Sequence, residues 1–317
     1  MRAIVFDEFG GRDRLHLTER PRPEPGPGEV RIAVAAAGVN PVDWKLREGK
    51  LADRLPHEFP VTPGWDAAGV VDRVGEGVDD LAPGDEVYTY CRLPTVHAGA
   101  YAEFVAVPAA MVARKPANLT LEHAAAVPLA ALTAWQALVD SAEVRGGEHV
   151  LVHAAAGGVG HFAVQIAGHR NARVFGTASR GNHPFLEGLG VERTFDYANL
   201  DFRQRVRDIE PDMVVDVVLD TVGGETLTRS AELLREGGRL VSIVDPDGVA
   251  ALADRGVDAR FVFVEPDGAE LAHIARLIEE GDIVPHVSEV LPLAEAARAH
   301  ELSEAGHVRG KLVLAVS

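Results

Sequence analysis

Two periodicities divide the chain. In the first third Val30, Ile32 and Val34 alternate with smaller or polar residues, the period-two pattern of a half-buried strand. Residues 21–28 (PRPEPGPG) follow another logic. Each proline removes a backbone donor and restricts its neighbour, so this stretch reads as a stiff turn. Gly75, Gly77 and Pro83-Gly84-Asp85 punctuate residues 70–87 as strand, turn, strand. Residues 103–107 (EFVAV) form another short strand, ended by Pro108. Short strands separated by Gly/Pro turns predict a partly open barrel. Near residue 120 the pattern changes. Residues 121–140 are mostly helix formers, split by Pro128 into two predicted helices. From His149 onward, apolar strands are predicted at 150–154, 173–177, 193–195, 213–220, 239–244 and 259–264, with helices between most of them, including 161–169 and 226–235. That alternation is the signature of a parallel, doubly wound sheet. Amphipathic helices at 271–280 and 293–303 and a last strand at 311–316 (KLVLAV) close the chain. The fold class is therefore α/β. A barrel domain formed by residues 1–122 and 284–317 is interrupted by a doubly wound domain at 123–283, and the last strand completes the barrel.

The length of 317 residues agrees with two domains. Ala, Val and Leu dominate while aromatics make up only 6%, which predicts an aliphatic core. The longest apolar runs, such as 124–132, fall well short of the roughly 20 residues that cross a bilayer. The opening MRAIVFDEFG lacks a basic segment followed by an apolar one, so no signal peptide and a cytoplasmic location are expected. One cysteine, Cys91, excludes an internal disulfide and a four-cysteine zinc lobe. A net charge of −17 disfavours coating a nucleic-acid duplex.

The chemistry starts at the first apolar strand of the second domain. It runs into Ala155-Ala156-Gly157-Gly158-Val159-Gly160, and a predicted helix follows. This is a G-x-G-x-x-G pattern with Ala155 in the first slot. Gly157 lets the backbone approach a pyrophosphate, Gly160 permits close helix–strand packing, and a helix N-terminus favours the anion. A tight turn with no ligand is the alternative; the strand before, the helix after and the further β units favour a dinucleotide, held at Gly157, Gly158 and Val159. The next strand ends at Ser179 and Arg180, and no Asp or Glu occurs between Gly157 and Phe185. NAD sites place an acid here to hold the ribose hydroxyls, whereas a guanidinium suits the 2′-phosphate of NADP. The expected cofactor is NADPH, with Ser179 and Arg180 as its phosphate contacts; the alternative for Arg180 is a solvated loop residue.

With those residues in view, the sequence resembles the medium-chain dehydrogenase/reductase superfamily in its zinc-independent, zeta-crystallin-like quinone oxidoreductase branch. The resemblance covers the whole chain. It is carried by NPVDWKLREG at 40–49, PGWDAAGVV at 63–71, GAYAE at 99–103, the loop at 155–160 and GKLVL at 310–314. It implies a GroES-like barrel with a Rossmann domain, and nicotinamide in a cleft between them. Zinc-dependent relatives use a Cys where this chain has Asn40 and a His-Glu pair where it has Trp65-Asp66, so no metal is expected. By the resemblance, Asn40 faces the reacting ring, Thr133 offers a hydroxyl near it, and Tyr197 contacts the adenosine phosphate end. Val222, Ile243, Phe261 and Phe263 would line the ring. Each also reads as core or strand-end packing.

Hydride chemistry belongs to the cofactor, and the protein supplies orientation, a donor for the acceptor oxygen and a proton. Lys45 and Asp43, inside the Asn40 motif, are candidates for the proton; a surface ion pair between them is the bland alternative, and solvent is a third source. The expected activity is NADPH-dependent reduction of a quinone or an α,β-unsaturated carbonyl compound. An enoyl reductase of lipid or polyketide synthesis is a second reading. Related enoyl-thioester reductases carry a Tyr where this chain has Leu51, which argues against that acid. A non-catalytic NADPH-binding protein, crystallin-like or a sensor, is a third. A homodimer is expected through the sixth strand, around residues 261–264, because an apolar sheet edge invites pairing.

Overall fold

The computed structural model describes residues 1–197, 206 and 214–316. The chain divides into two compact units, Met1–Leu132 with Pro266–Ser317, and Thr133–Glu265. The division falls at 132/133 and 265/266 rather than at 122/123 and 283/284. The reason lies in the helix Gly268–Glu280, which an amphipathic pattern predicts without saying what it packs on. It belongs to the first unit: the Tyr88 hydroxyl donates to the Leu271 carbonyl at 2.6 Å and the Asn118 amide to Ile278 at 2.9 Å. A Cβ added at Gly268 would lie 2.6 Å from the Ala110 carbonyl oxygen, so glycine lets the helix start touch that backbone.

In the first unit a seven-stranded sheet is built around the long strand Glu29–Val39. Asp66–Val74 pairs with it antiparallel, followed outward by Glu86–Tyr90 and Val112–Arg114. Phe104–Pro108 pairs with its first half, residues 29–33, and Lys311–Ala315 with its last residues, 36–39. The chain's end thus returns to the sheet that its beginning made, as expected. Val287–Pro292 adds in parallel to Lys311–Ala315. Inward residues such as Val30, Ile32, Val34, Val71, Val87, Val105 and Leu314 form one aliphatic core, where hydrophobic burial is the main stabilising term.

In the second unit six parallel strands stand in the order Arg193–Phe195, Arg173–Thr177, His149–Val152, Val215–Asp220, Leu234–Ser242, Asp258–Phe261. By chain order this is 3-2-1-4-5-6, and the order reverses between the first and fourth strands. Residue 213, expected to open the fourth strand, lies outside the described residues. Several boundaries differ from expectation: the first strand is His149–Val152 rather than 150–154, and the fifth is Leu234–Ser242 rather than 239–244. The helix predicted at 226–235 ends at Ser230, because Leu234 already pairs with Val215; the chain then loops out, with Gly237 at φ +70°, and resumes pairing at Arg239. The sixth strand ends at Phe261 rather than 264. Ahead of Pro266 the Glu265 backbone turns to the Gln136 side chain, which both donates to it and accepts from it at 2.9 Å. Among the described residues, no helix is long and apolar enough to cross a membrane.

Candidate functional site

Parallel strands end on one side of a sheet, so everything that follows a strand gathers at one edge. At the switch point His149–Val152 passes through His153 and Ala154 into the glycine loop, and the helix Gly160–His169 begins. Ala154, not Ala155, takes the left-handed backbone conformation, with φ +45°. Its N–H is held by the Thr177 hydroxyl at 3.2 Å, and that of Ala155 by the Thr177 carbonyl at 2.9 Å. A Cβ on Gly160 would sit 2.4 Å from the Ala154 carbonyl oxygen and 2.7 Å from the Ala155 Cα. Glycine is obligatory there, which is the close helix–strand packing that a pyrophosphate cradle requires. The loop and the ten-residue helix behind it fit an anionic dinucleotide.

The remaining candidates follow the other strand ends. Ser179 is half-buried and its hydroxyl accepts from the Asn182 amide at 3.1 Å; Arg180 is exposed in the short turn Arg180–Asn182 and has no ion-pair partner among the described residues. Tyr197 follows the third strand and is 54% exposed. Val222 follows the fourth, exposed, and Ile243 the fifth, half-buried. The two loops are fixed by Asp220, fully buried at the end of the fourth strand. Its carboxylate accepts from the Val222 and Gly223 N–H groups and from the Ser242 hydroxyl at 2.7 Å. Phe261 closes the sixth strand, and Phe263 lies beyond it, exposed. Thr133 is buried in the helix Pro128–Trp135. Thus every cofactor candidate except Thr133 lies at the carboxyl edge of the sheet.

Asn40 anchors a separate, buried polar cluster in the first unit. It precedes the helix Pro41–Arg47, and its backbone N–H donates to the Asp43 carboxylate at 2.8 Å. Its side-chain amide donates to Asp66 at 2.8 Å, while its Oδ1 accepts from Lys311. Tyr101 donates to Asp43 at 3.1 Å. Space for the cluster is made by Gly38: a Cβ there would meet the Asp66 side chain at 2.9 Å and the Ala125 carbonyl oxygen at 2.4 Å. Burial pushes the Asp43 carboxyl up to about 7, helped by the neighbouring Asp66 charge and opposed by the Asn40 N–H, Lys311 and Tyr101. Burial likewise raises Asp66 and lowers Lys311, each restrained by the other's charge.

Lys45 is not joined to this cluster. Its ammonium lies 5.6 Å from the Trp44 ring centre, and partial burial, with Lys50 nearby, holds it below the ordinary lysine range. The ion pair with Asp43 does not form, since positions two apart on a helix do not face each other. The sequence reading also passed over Lys311 and Tyr101, which lie at motif positions, and over the polar role of Asp66. Of the positions where zinc-dependent relatives place ligands, Trp65 is buried and packs 6.0 Å from Tyr90, and the Asn40 amide is engaged as described. Among the described residues, no group of three or more His, Cys, Asp or Glu is placed to hold a metal ion.

Residues 26–117 match the family described as alcohol dehydrogenase GroES-like domain, and residues 189–314 the one described as zinc-binding dehydrogenase. The quinone oxidoreductase structure from Coxiella burnetii is 36% identical, with a TM-score of 0.91 over 100% of this chain and 99% of that one. The Escherichia coli quinone oxidoreductase solved with NADPH is 29% identical, with a TM-score of 0.88 and full coverage of both chains. The chloroplastic NADPH-dependent alkenal/one oxidoreductase of Arabidopsis thaliana is 35% identical over 326 residues, 99% of this chain and 79% of that protein.

Proposed function

We propose that this chain, which belongs to the quinone oxidoreductase-like branch of the medium-chain dehydrogenase/reductase superfamily, is an NADPH-dependent reductase of quinones or of alkenes conjugated to a carbonyl, acting without metal. The observation that carries the reading is the glycine loop at the switch point, followed by a strand end that offers Arg180 and no acid. When bound, NADPH supplies the hydride that adds to the electron-poor acceptor. The protein's share is binding, orientation and a hydrogen bond to the oxygen on which charge accumulates. Asn40 is assigned that polar contact. Lys45 is assigned the proton: an ammonium held below its ordinary range gives up a proton more readily.

The test is stopped-flow oxidation of NADPH against a panel of quinones and enones. Turnover is expected on at least one acceptor class, unchanged after treatment with a chelator. Tight NADPH binding without turnover on any acceptor supports a binding protein instead, and activity lost together with stoichiometric zinc overturns the metal-free reading. In the same assay Lys45→Met should lower kcat; an unchanged kcat returns the proton to solvent.

A homodimer through the edge strand Asp258–Phe261 is part of the same proposal, because its outer side has no strand partner among the described residues. Light scattering at micromolar concentration should give twice the chain mass of 33.8 kDa; a monomer contradicts it.

A further inference from the structure

We infer that Lys311 is a positioning residue for Asn40: it fixes which end of the Asn40 amide faces inward, and so makes that side chain a hydrogen-bond donor toward the reacting partner. The inference rests on the role proposed for Asn40 above.

Three adjacent strands bring the groups together. Lys311 opens the strand Lys311–Ala315, whose Leu312 stands opposite Val39, and Gly38 stands opposite Asp66 in the next pairing. The Lys311 side chain is 3% exposed. An ammonium has three hydrogens, and three oxygens surround this one: the Val39 carbonyl at 2.9 Å, Asn40 Oδ1, and Asp66 Oδ2 at 3.5 Å. Asp66 is fully buried. Its Oδ1 accepts from the Leu129 N–H at 2.7 Å and its Oδ2 from Asn40 Nδ2 at 2.8 Å.

An ammonium can only donate, and a carboxylate that receives two N–H groups can only accept. An asparagine amide held between them has one permitted orientation, oxygen to lysine and nitrogen to aspartate. Reversing it would set N–H against the cation and oxygen against the anion. Asn40 Oδ1 is thereby committed to Lys311. The second Nδ2 hydrogen has no partner among the described residues, and it is the group Asn40 has left to offer. Strand packing does not require a lysine, since Leu312, Val313 and Leu314 beside it are buried and apolar. Burying an ammonium is costly unless it is paired, so the side chain is there for its polar partners.

Lys311→Met alone strands the Asp66 charge in the core and can fail to fold for that reason. The decisive variant is Lys311→Met/Asp66→Asn, which removes both charges and keeps the shapes. With the Leu129 N–H still donating to the side-chain oxygen at position 66, the new NH₂ faces Asn40, so the native orientation of the Asn40 amide is no longer held and the reversed one is favoured. The expected result is a folded protein with unchanged NADPH affinity, acceptor KM near wild type, and kcat lowered about 10- to 100-fold, the loss expected when a reacting contact is misplaced. Full recovery of kcat in the double variant overturns the inference, because charge balance would then be the lysine's whole role. A readout independent of turnover is hydrogen exchange of the Asn40 side-chain NH₂, followed by NMR in ¹⁵N-labelled protein. Protection in the wild type that is lost in the double variant supports the fixed amide, even if the wild type reduces no acceptor and the functional proposal itself fails. Equal protection in both proteins overturns it.

Discussion

Replacing Arg180 by alanine should weaken NADPH binding about 10- to 150-fold and leave NADH binding almost unchanged. Gly157 would let the backbone approach a pyrophosphate at the switch point, Gly160 lets the following helix pack against the loop, and the neighbouring strand Arg173–Thr177 ends beside that loop. The adenosine ribose of a dinucleotide in this loop reaches the end of that strand. Ser179 and Arg180 stand there, and Arg180 has no ion-pair partner among the described residues to compete for its guanidinium. A charge-assisted hydrogen bond contributes roughly 1.5–3 kcal/mol, which converts to the stated range at 1.4 kcal/mol per tenfold. Because Arg180 is exposed, salt should erode the effect. Titration calorimetry of both cofactors on wild type and Arg180→Ala decides the matter. Equal losses for NADPH and NADH, or a wild type that prefers NADH, would sink the assignment. Ser179→Ala should show the same selectivity with a smaller loss, since a neutral hydroxyl makes a weaker bond.

That prediction is readable from sequence because each link is local. A glycine pattern, a strand and the residues at its end lie within about 30 positions, the span of one βαβ unit. The same locality made the alternation of strands and helices legible, and with it the α/β class. Strand order was not legible, since nothing in an apolar run names its neighbour. The helix Gly268–Glu280 shows the same limit: its apolar face was visible, its packing surface was not. The Asn40 cluster fails for a related reason. Lys311 and Asn40 are 271 positions apart, and a lysine opening an apolar strand looks like any strand end. The alternative of an ion pair between Asp43 and Lys45 rests on proximity alone, and helix geometry already separates positions two apart. There the elementary rule was available and outweighs the impression of adjacency.

Nothing local in the sequence marks out His153, yet it carries a large expected effect on stability. As pH falls from 7 to 4, wild type should lose about 3 kcal/mol of stability relative to a His153→Gln variant. The ring is buried directly after the first strand of the parallel sheet, between Thr177 Oγ1 at 3.1 Å and Ser230 Oγ at 2.7 Å. The Ser230 hydroxyl hydrogen goes to the Thr226 carbonyl, so its oxygen accepts from the ring and Nε2 carries the proton of a neutral imidazole. Burial holds the folded pKa down at about 4, below the ordinary 6.5. Above pH 6.5 the ring is neutral in both states and the native contacts keep their full value. Between 6.5 and 4 the unfolded chain takes up a proton that the folded chain refuses, and stability falls with pH at up to about 1.4 kcal/mol per unit. Asp43 works in the opposite direction: its raised carboxyl, at about 7, adds stability as pH falls, so the wild-type curve alone mixes the two. Comparison with His153→Gln cancels Asp43, and also His300, whose burial lowers it to about 3. Urea unfolding of both proteins across this range is the measurement. Glutamine should cost stability at pH 7 through lost contacts, and the gap should close on acidification. A gap that stays constant with pH would show that the His153 ring is already protonated, or not buried, in the native protein.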